Sequence, residues 1–530
     1  MKRIFLYISV LLLFGCTVEP VSFVVLETAD MHGVIDGPMS GVAGYLRAQR
    51  KTYGNRMILL DCGDNLQGSP EVYFSNYVDT SNVHIYATLF NWLSYDALTV
   101  GNHDLEAGRQ IYDRLYSQVK ATVLCANAVD ENTGKPRFTP YRVFRRMGYK
   151  IAIMGLLTPR ATEWIPKRLR SGVELQPVEE AAAHWIKVIY EKEKPDVVIG
   201  LLHAGGGVLT EDMVADDAMN TGSWIARNIP GFHLICCGHV HNAKTDSVIN
   251  VQGDTVWIME AGSRASHIAR AEIIIDKKNE HGAKVHISPS LISSRSLRND
   301  PVYEQIIEPF MLREDAYERI PVTELHEPLY SRESMQGPSK WVDLIHTLHL
   351  SMANTGSAAE VGASISFASP AARNLFLDKG LIYINDIISY YPYENTLSIV
   401  RLSGEEILKY MEYAYYLRLD RPNGPAYNFD SAAGIIYVVH RDRPYGQRVE
   451  ILSMADGSLF FPDRDYHVAM NTFRARGGGD HLTRGVGLTL EELHKRIIWE
   501  SEKDIRSRLL EWKLTQSPYP GKPLNHWRYL

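Results

Sequence analysis

The stretch Met57-Ile-Leu-Leu-Asp-Cys-Gly-Asp-Asn-Leu-Gln-Gly-Ser-Pro70 combines a short apolar run with a polar loop that carries two glycines. An apolar run of this length, bounded by Gly and Pro, is typical of a buried strand. The polar residues follow the point where such a strand leaves its sheet, and α/β folds bind ligands in such loops. The stretch therefore predicts a strand with a functional loop at its carboxyl end.

The same rhythm recurs from residue 21 to about residue 300, with helical stretches between the apolar runs. The other runs lie at 23–26, 97–100, 151–154, 196–199, 234–237 and 256–259. Buried strands that alternate with helices indicate an α/β domain built from layered sheets.

The rhythm breaks after about residue 299. A charged helical piece at 302–313 and an extended piece with Pro321 and Pro328 predict a connector over 301–336. A second, mixed α+β unit then follows, with helices expected at 341–352 and 404–416 and strands at 396–402 and 435–439. We expect the amphipathic tail 489–514 to form a helix and the proline-bearing end 517–530 to pack as a strap.

Length and composition limit the classes of protein that fit this chain. Its 530 residues exceed what one hydrophobic core normally serves, so we expect at least two domains. Lys plus Arg number 56 against 62 Asp plus Glu, and the formal net charge is −6. Because no basic run offers a track for a phosphate backbone, the sequence argues against polymeric nucleic acid as a partner.

The N-terminus predicts export. A basic head precedes the apolar residues 4–14, a run too short to span a bilayer. Leu13-Phe-Gly-Cys16 resembles the bacterial lipobox, which implies a signal peptide over 1–15 and a lipid on Cys16; a cleaved soluble protein is the alternative. We expect a periplasmic or cell-surface lipoprotein that touches membrane only through this lipid. Cys62, Cys125, Cys236 and Cys237 are predicted to be buried thiols.

Short segments after five of the apolar runs carry carboxylate, amide and imidazole groups, which divalent cations prefer. A single such histidine is more often a core or surface residue, but five segments in order favour metal binding. In an extended segment residues i and i+2 point the same way, so each D-x-H or H-x-H segment is expected to present two ligands. The seven candidate ligands are Asp30, His32, Asp64, Asn102, His203, His239 and His241.

If Asp64 bridges two cations, each cation receives four ligands. One set is Asp30, His32, Asp64 and His241, and the other is Asp64, Asn102, His203 and His239. Two metals roughly 3.5–4 Å apart can clamp the attacking and leaving oxygens of a phosphoryl displacement, with a shared hydroxide as nucleophile. Mixed oxygen and nitrogen ligands suit Mn²⁺ or Zn²⁺, with Fe²⁺ and Co²⁺ as alternatives.

The ordered motifs D-x-H, G-D-x-x-Q-G-S-P, G-N-H-D, H-A-G and G-H-x-H resemble the calcineurin-like metallophosphoesterases, and 63–70 resembles their 5′-nucleotidase branch. That branch includes 5′-nucleotidases and 2′,3′-cyclic-nucleotide 2′-phosphodiesterase/3′-nucleotidases. The resemblance implies a four-layer αββα sandwich over 16–300 and a mixed α+β nucleotide-binding domain over 337–530. It also implies that His103 contacts the phosphate and the leaving oxygen, with Glu106 orienting it. We interpret Asp104 as a helix cap.

In the second unit the resemblance implies two aromatic plates that sandwich a nucleobase, although the residues alone fit core aromatics beside a turn. The implied substrate-binding residues are Phe429, Phe473, the nearby Tyr427, Arg373, Asn395, Gly478 and Asp480. The branch's N-G-G-G-I-R segment is replaced here by Ala-Ser-Pro-Ala-Ala-Arg at 368–373. The Tyr-rich segment 390–397 resembles the cyclic-phosphodiesterase/3′-nucleotidase subgroup more closely than the 5′-nucleotidases. We interpret His346 and His349 as an interface or solvated face.

These features lead to one principal hypothesis and two alternatives. The principal hypothesis is an exported phosphohydrolase in which a metal-bound hydroxide attacks 2′,3′-cyclic, 3′- or 5′-nucleotides and nucleoside and phosphate are released. One alternative is a catalytically silent nucleotide-binding lipoprotein. The other is a hydrolase of UDP-sugars or of other phosphoesters. The sequence makes no prediction of oligomeric state.

Overall fold

The computed structural model describes residues 20–207, 214–215, 218–276, 284–513 and 524–530. The predicted signal peptide with Cys16 lies outside the described residues, as do Pro518, Pro520 and Pro523 of the predicted strap. The four described cysteines are free and buried, as predicted. In the part of the chain that is described, no helix combines the length and apolar character needed to cross a membrane.

The N-terminal domain alternates strands and helices. Its strands are β1 (Val21–Thr28), β2 (Met57–Asp61), β3 (Ala97–Thr99), β4 (Thr122–Leu124), β5 (Ala128–Val129), β6 (Tyr141–Arg146), β7 (Tyr149–Leu157), β8 (Glu174–Leu175), β9 (Val197–His203), β10 (Leu234–Cys237), β11 (Ala243–Ile249), β12 (Thr255–Ala261), β13 (His267–Ile275) and β14 (Val285–Ser293). Its helices are α1 (Pro38–Tyr53), α2 (Pro70–Tyr73), α3 (Ile85–Leu93), α4 (Asn102–Glu106), α5 (Arg109–Gln118), α6 (Ala161–Trp164), α7 (Val178–Glu193) and α8 (Thr221–Asn228).

Two six-stranded sheets pack face to face in this domain, in the orders β14-β13-β1-β2-β3-β4 and β11-β12-β10-β9-β7-β6. Successive side chains of a strand point to opposite faces. Phe23 and Val25 of β1 therefore enter the core between the sheets, where Ile199 of β9 also lies. Val24 and Leu26 pack instead into the core beneath the helices, together with Leu46 of α1. The second sheet buries its outer face against α7 and α8, so the layers run αββα as predicted.

The parallel registers bring the carboxyl ends of the central strands together. Thr28 of β1 pairs with Asp61 of β2, and Leu202 of β9 pairs with Cys237 of β10. The loops that follow these strands therefore emerge at one edge of the sandwich, where the ligand-like motifs of the sequence lie.

The helix α9 (Pro301–Glu318) follows β14 and packs against the N-terminal domain. Ser40 donates to the carboxylate of Glu304 at 3.1 Å, and the hydroxyl of Tyr303 donates to the carbonyl of Ile35 at 2.6 Å. The chain then enters β15 (Pro321–Leu325), which pairs with a strand of the second unit. The boundaries 301 and 336 of the connector stay a prediction.

The second unit is mixed α+β. Its remaining elements are β16 (Leu329–Tyr330), α10 (Lys340–Ala353), β17 (Ile365–Ala368), β18 (Phe376–Leu377), β19 (Gly380–Tyr383), α11 (Ile384–Tyr390), β20 (Thr396–Ser403), α12 (Gly404–Leu419), β21 (Ser431–Ala433), β22 (Ile435–Val439), β23 (Val449–Met454), β24 (Asp465–Asn471), α13 (Thr472–Ala475), α14 (Leu490–Arg496), β25 (Ile497–Asp504), α15 (Ile505–Lys513) and β26 (Trp527–Tyr529). A five-stranded sheet, β21-β17-β24-β20-β25, carries a separate hydrophobic core on each face.

Two expectations for this unit are wrong. The tail 489–514 is not one helix, because β25 interrupts it and pairs with β20 at the edge of the sheet. The strand β25 starts with Ile497-Ile-Trp, and this apolar segment packs against the sheet. Tertiary pairing therefore overrides the helical pattern of the tail. For His346 and His349 the solvated-face alternative is also wrong, since each side chain is only 1% exposed, and the interface alternative stays open.

Candidate active site

The loops after β1, β2 and β10, together with the last residue of β9, bring six of the seven candidate ligands into two groups. One group holds Asp30, His32 and His241, and the other holds Asp64, His203 and His239, with ligand atoms within 4.8 Å of one another in each. The seventh residue, Asn102 at the start of α4, has its amide oxygen 3.0 Å from His203 Nε2. Each group holds three of the four residues of one predicted set; Asp64 is not part of the first group, and the shared role predicted for it stays a prediction.

The backbone of these loops differs from the expected one. Asp30, His32, Asp64, His239 and His241 all have φ between 47° and 76°, in the left-handed region. Extended geometry therefore does not explain why the i and i+2 residues lie together, and that interpretation is wrong. Residues other than glycine adopt this backbone region at a cost in conformational energy, and such residues cluster at functional sites.

The tautomers of two histidines test whether the site fits a cation. The carbonyl of Gln67 can only accept, so His32 donates its Nδ1–H at 3.1 Å and turns the Nε2 lone pair inward. His203 likewise donates Nδ1–H to the carbonyl of Cys62 at 2.6 Å. Its Nε2 then faces the Asn102 oxygen and, at 3.1 Å, Asp64 Oδ2. Acceptors that converge on one point need a cation or a proton between them, and this donor set fits a divalent metal.

Burial and neighbouring charges set the protonation of the candidate ligands. Burial lowers the pKa of His32 to about 3 and that of His239 to about 3, so both rings are neutral at pH 7. Although burial would raise it, His203 and His103 hold the pKa of Asp64 well below its usual value. Neutral imidazoles and an ionised carboxylate are the forms that bind metals, so these three groups are ready to bind one. Although burial would lower it, Asp64 raises the pKa of His203 to about 9, and burial raises the pKa of Asp30, so a cation must displace the proton from each of these two groups.

Asp104 has a larger role than the predicted cap. Its carboxylate accepts the N–H of Gly101, as a cap would, and also the N–H groups of Asp64, Asn65 and Leu66 at 2.9–3.1 Å. The β2 loop is thereby fastened to α4. Gly101 permits this approach because a Cβ there would lie 2.1 Å from Asp64 Oδ1.

His103 and Glu106 form the pair that the sequence suggested. His103 donates Nδ1–H to Glu106 at 2.6 Å, and its backbone N–H donates to Asp64 Oδ1 at 2.8 Å. Although burial would lower it, Asp64 and Glu106 raise the pKa of His103 to about 10. The carboxylate of Glu106 is therefore able to orient the ring.

A cleft of about 860 Å³ joins this site to the second unit. On one side it is lined by Asn102, His103, Glu106, His239 and His241, while Asp30, His32, Asp64 and His203 lie buried beneath. On the other side it is lined by Asn395, Tyr427, Phe473, Gly478 and Asp480. We call the seven candidate metal ligands the ligand cage. Five of the seven predicted substrate-binding residues therefore line the same cleft as this cage.

The other two predicted residues lie elsewhere. Phe429 is 2% exposed and covered by Arg373, whose guanidinium lies 5.0 Å from the ring centroid. Arg373 also donates to the carbonyls of Pro422 and Gly424, and neither residue belongs to the described cleft wall. Tyr427 and Phe473 are the exposed rings, 6.3 Å apart and perpendicular. A slot of two parallel phenylalanines is therefore not formed in this structure.

Family models match both halves of the chain. Residues 23–243 match the calcineurin-like phosphoesterases, and residues 321–483 match the 5′-nucleotidase C-terminal domain. Together the two models span well over half of the sequence. The chain is a calcineurin-like metallophosphoesterase with a 5′-nucleotidase C-terminal domain.

Relatives of this metallophosphoesterase match it over most of its length. It is 21% identical to the 2′,3′-cyclic-nucleotide 2′-phosphodiesterase/3′-nucleotidase of Haemophilus influenzae, over 94% of this chain and 85% of that protein. It is 23% identical to the trifunctional nucleotide phosphoesterase YfkN of Bacillus subtilis over 95% of this chain, which spans 38% of that longer protein. The 5′-nucleotidase precursor of Thermus thermophilus has the same fold, with a TM-score of 0.60, 19% identity and coverage of 96% and 99% of the two chains.

The structure of the metallophosphoesterase also identifies residues that the sequence did not single out. Arg474 donates to both oxygens of Asp430 and to the carbonyls of Tyr427 and Gly478. It therefore joins the two loops that carry Tyr427 and Gly478. Trp164 stacks on His239, with ring centroids 5.3 Å apart and planes 11° apart. For Arg474 the only signal in the sequence is its position next to an aromatic residue, Phe473. No sequence pattern indicates the role of Trp164.

Proposed function

We propose that this metallophosphoesterase is an exported, two-metal hydrolase of nucleotides. The observation that supports this proposal is one continuous cleft that carries one histidine of each ligand group, His239 and His241, on one wall and two exposed aromatic rings on the other. A phosphate at the ligand cage and a base against Tyr427 or Phe473 would fit one substrate. The apolar run and Cys16 at the N-terminus support export as a lipoprotein.

In this proposal Asp30, His32, Asp64 and His241 hold one cation, and Asp64, Asn102, His203 and His239 hold the other. When bound, two such cations neutralise phosphate charge and make a water nucleophilic. Gln67 and Cys62 orient the His32 and His203 rings through their carbonyls. His103, fixed by Glu106, stands at the cleft wall to give a proton to the departing oxygen.

The choice among nucleotide esters rests on the phosphate contacts of the second unit. Arg373 is engaged with Phe429 and two backbone carbonyls, so it does not supply the bidentate grip that a terminal 5′-phosphate would use. The relatives named as cyclic-nucleotide phosphodiesterases and 3′-nucleotidases support the same choice, away from 5′-nucleotides. We therefore propose 2′,3′-cyclic nucleotides and 3′-nucleotides ahead of 5′-nucleotides.

The decisive experiment is a panel of 2′,3′-cyclic, 3′- and 5′-nucleotides assayed for nucleoside and phosphate with Mn²⁺ or Zn²⁺. We expect turnover that EDTA abolishes and added metal restores, with the cyclic and 3′ esters preferred. Bis-p-nitrophenyl phosphate serves as a substrate without a nucleoside. Nucleotide binding without metal-dependent turnover of any ester would identify a silent binding protein, and preferred turnover of UDP-sugars would identify the other alternative.

The aromatic wall can be tested by alanine substitution. Because stacking contributes about 1–3 kcal/mol per base, Phe473→Ala and Tyr427→Ala should each raise KM for nucleotides by roughly tenfold. Turnover of p-nitrophenyl phosphate should stay close to that of the wild type. Steady-state kinetics on both substrates measures the difference, and equal losses on both would contradict the assignment.

Phe429→Ala is the matched comparison, because Phe429 is buried beneath Arg373 instead of facing the cleft. We expect this change to lower the free energy of unfolding by about 3–5 kcal/mol. Thermal or denaturant unfolding measures it. A selective rise in nucleotide KM without loss of stability would show instead that Phe429 reaches the substrate.

A further inference from the structure

A buried histidine of the second unit faces the cleft and is not used by the proposed chemistry. His349 lies in α10 and is 1% exposed, yet it forms part of the cleft lining. Its pKa is lowered by burial to about 4, so the ring is neutral at pH 7. No sequence pattern predicted a role for His349 in substrate binding.

One ring nitrogen of His349 has no hydrogen-bond partner among the described residues. Nε2 is buried and makes no hydrogen bond of normal geometry with any described residue, although the ring lies against the backbone of Phe367. A buried polar atom without a partner is uncommon and calls for an explanation. Since the residue lines the cleft, a bound molecule is the available partner.

The other ring nitrogen is held by a chain of hydrogen bonds. Nδ1 of His349 lies 3.1 Å from Ser366 Oγ, which is also 3.0 Å from Nδ1 of His346. His346 continues the chain through Nε2 to Ser431 Oγ at 3.1 Å. The chain fixes the orientation of the His349 ring from behind.

This chain can supply either tautomer of His349. Ser366 has one proton to donate and two lone pairs, so at most one of the two Nδ1 atoms accepts from it. If His349 accepts, its Nε2 carries a proton and can donate into the cleft. If His349 donates to Ser366, its Nε2 is an acceptor, and Ser366 can then donate to His346.

The wall next to His349 favours a neutral ligand group at this position. Besides His349, α10 and the segment after β17 contribute Ile345, Ala368, Ser369 and Ala371 to the cleft, and none of these side chains is charged. The charged residues of the cleft lie on other segments and include Glu106, Arg160 and Asp480. A neutral polar group of a ligand matches this wall better than a phosphate.

We propose that His349 binds the nucleoside part of the substrate through Nε2, by a hydrogen bond to a hydroxyl group or to the polar edge of the base. This inference rests on the proposed nucleotidase function and makes His349 a determinant of substrate preference. The Ser366–His346–Ser431 chain positions it.

The test compares His349→Phe with the wild type on the preferred nucleotide and on p-nitrophenyl phosphate. Phe keeps the ring size and removes both nitrogens. We expect kcat/KM for the nucleotide to fall by about tenfold to a hundredfold, as for loss of one hydrogen bond in a buried site, with a much smaller change for p-nitrophenyl phosphate. His349→Gln, which retains polarity, is used if the Phe variant does not fold, and should lose severalfold selectively on nucleotides.

His526→Phe is the matched control. His526 lies in the same unit, is 8% exposed and has an unpartnered Nε2 among the described residues, but it does not line the cleft. Its change should leave both activities unaltered. Melting temperatures verify that each variant is folded.

The outcomes separate the two levels of the proposal. Wild-type protein without metal-dependent nucleotide turnover overturns the proposed function itself. An active wild type with a folded His349 variant that shows no selective nucleotide loss overturns only the role of His349. A selective loss supports it, and the same phosphate ester without a base identifies the group: a loss that persists indicates a sugar hydroxyl, and a loss that disappears indicates the base.

Discussion

Replacing Asp64 with asparagine is expected to lower kcat/KM for nucleotides and for p-nitrophenyl phosphate alike, by about a thousandfold or more. Asp64 is the residue shared by both proposed ligand sets, and its carboxylate also accepts the backbone N–H of His103 at 2.8 Å. An amide keeps the shape of the side chain but removes the charge that two cations would share. Elemental analysis of purified protein should show bound metal falling below two per chain.

Asp61→Asn is the matched control for this variant. Asp61 is also buried at the end of β2, but its carboxylate accepts from Thr28, Gly63 and Asn65 and does not enter the cage. This change should preserve metal content and cost about tenfold or less in activity. Full metal content and near wild-type rates in the Asp64 variant would remove the basis of the two-metal proposal.

His103→Ala is expected to lower kcat by about 10²- to 10⁴-fold while metal content stays at the wild-type level. The reason is that His103 lines the cleft and is oriented by Glu106, but belongs to neither ligand group. KM should change little, because the ring acts on the departing oxygen. Glu106→Gln should cost less, about tenfold, since it only weakens the orientation of the ring.

Two measurements make the His103 prediction specific. Metal analysis distinguishes a catalytic loss from collapse of the cage, and a substrate with a good leaving group, such as p-nitrophenyl phosphate, should be less affected than a nucleotide. Loss of metal together with activity, or equal losses on both substrates, would show that His103 supports the cage instead.

The fold could be predicted largely from local patterns. The apolar runs correspond to buried strands, and the expected helices at 341–352 and 404–416 correspond to α10 and α12. The tail could not be predicted, because the short apolar run Ile497-Ile-Trp fits a helix as well as a strand until β20 offers an edge to pair with. Pairing between distant segments is not encoded in a local period.

The site shows the same limit. Residue types and their order were enough to group the candidate ligands, but not to predict that five of them have left-handed backbone. Nor could the sequence show that Arg373 covers Phe429 or that His349 is buried beside the cleft, because both depend on packing between segments. Resemblance to a family places such residues in an alignment and says little about where their side chains lie.

The two faces of the cleft rest on independent hydrophobic cores, one set beneath the αββα sheets and another on either side of the five-stranded sheet. Substitutions can therefore accumulate around residues 427–480 without deforming the loops at the ends of β1, β2, β9 and β10. Over evolutionary time such a scaffold can acquire new leaving-group preferences while the bond-breaking centre is inherited unchanged.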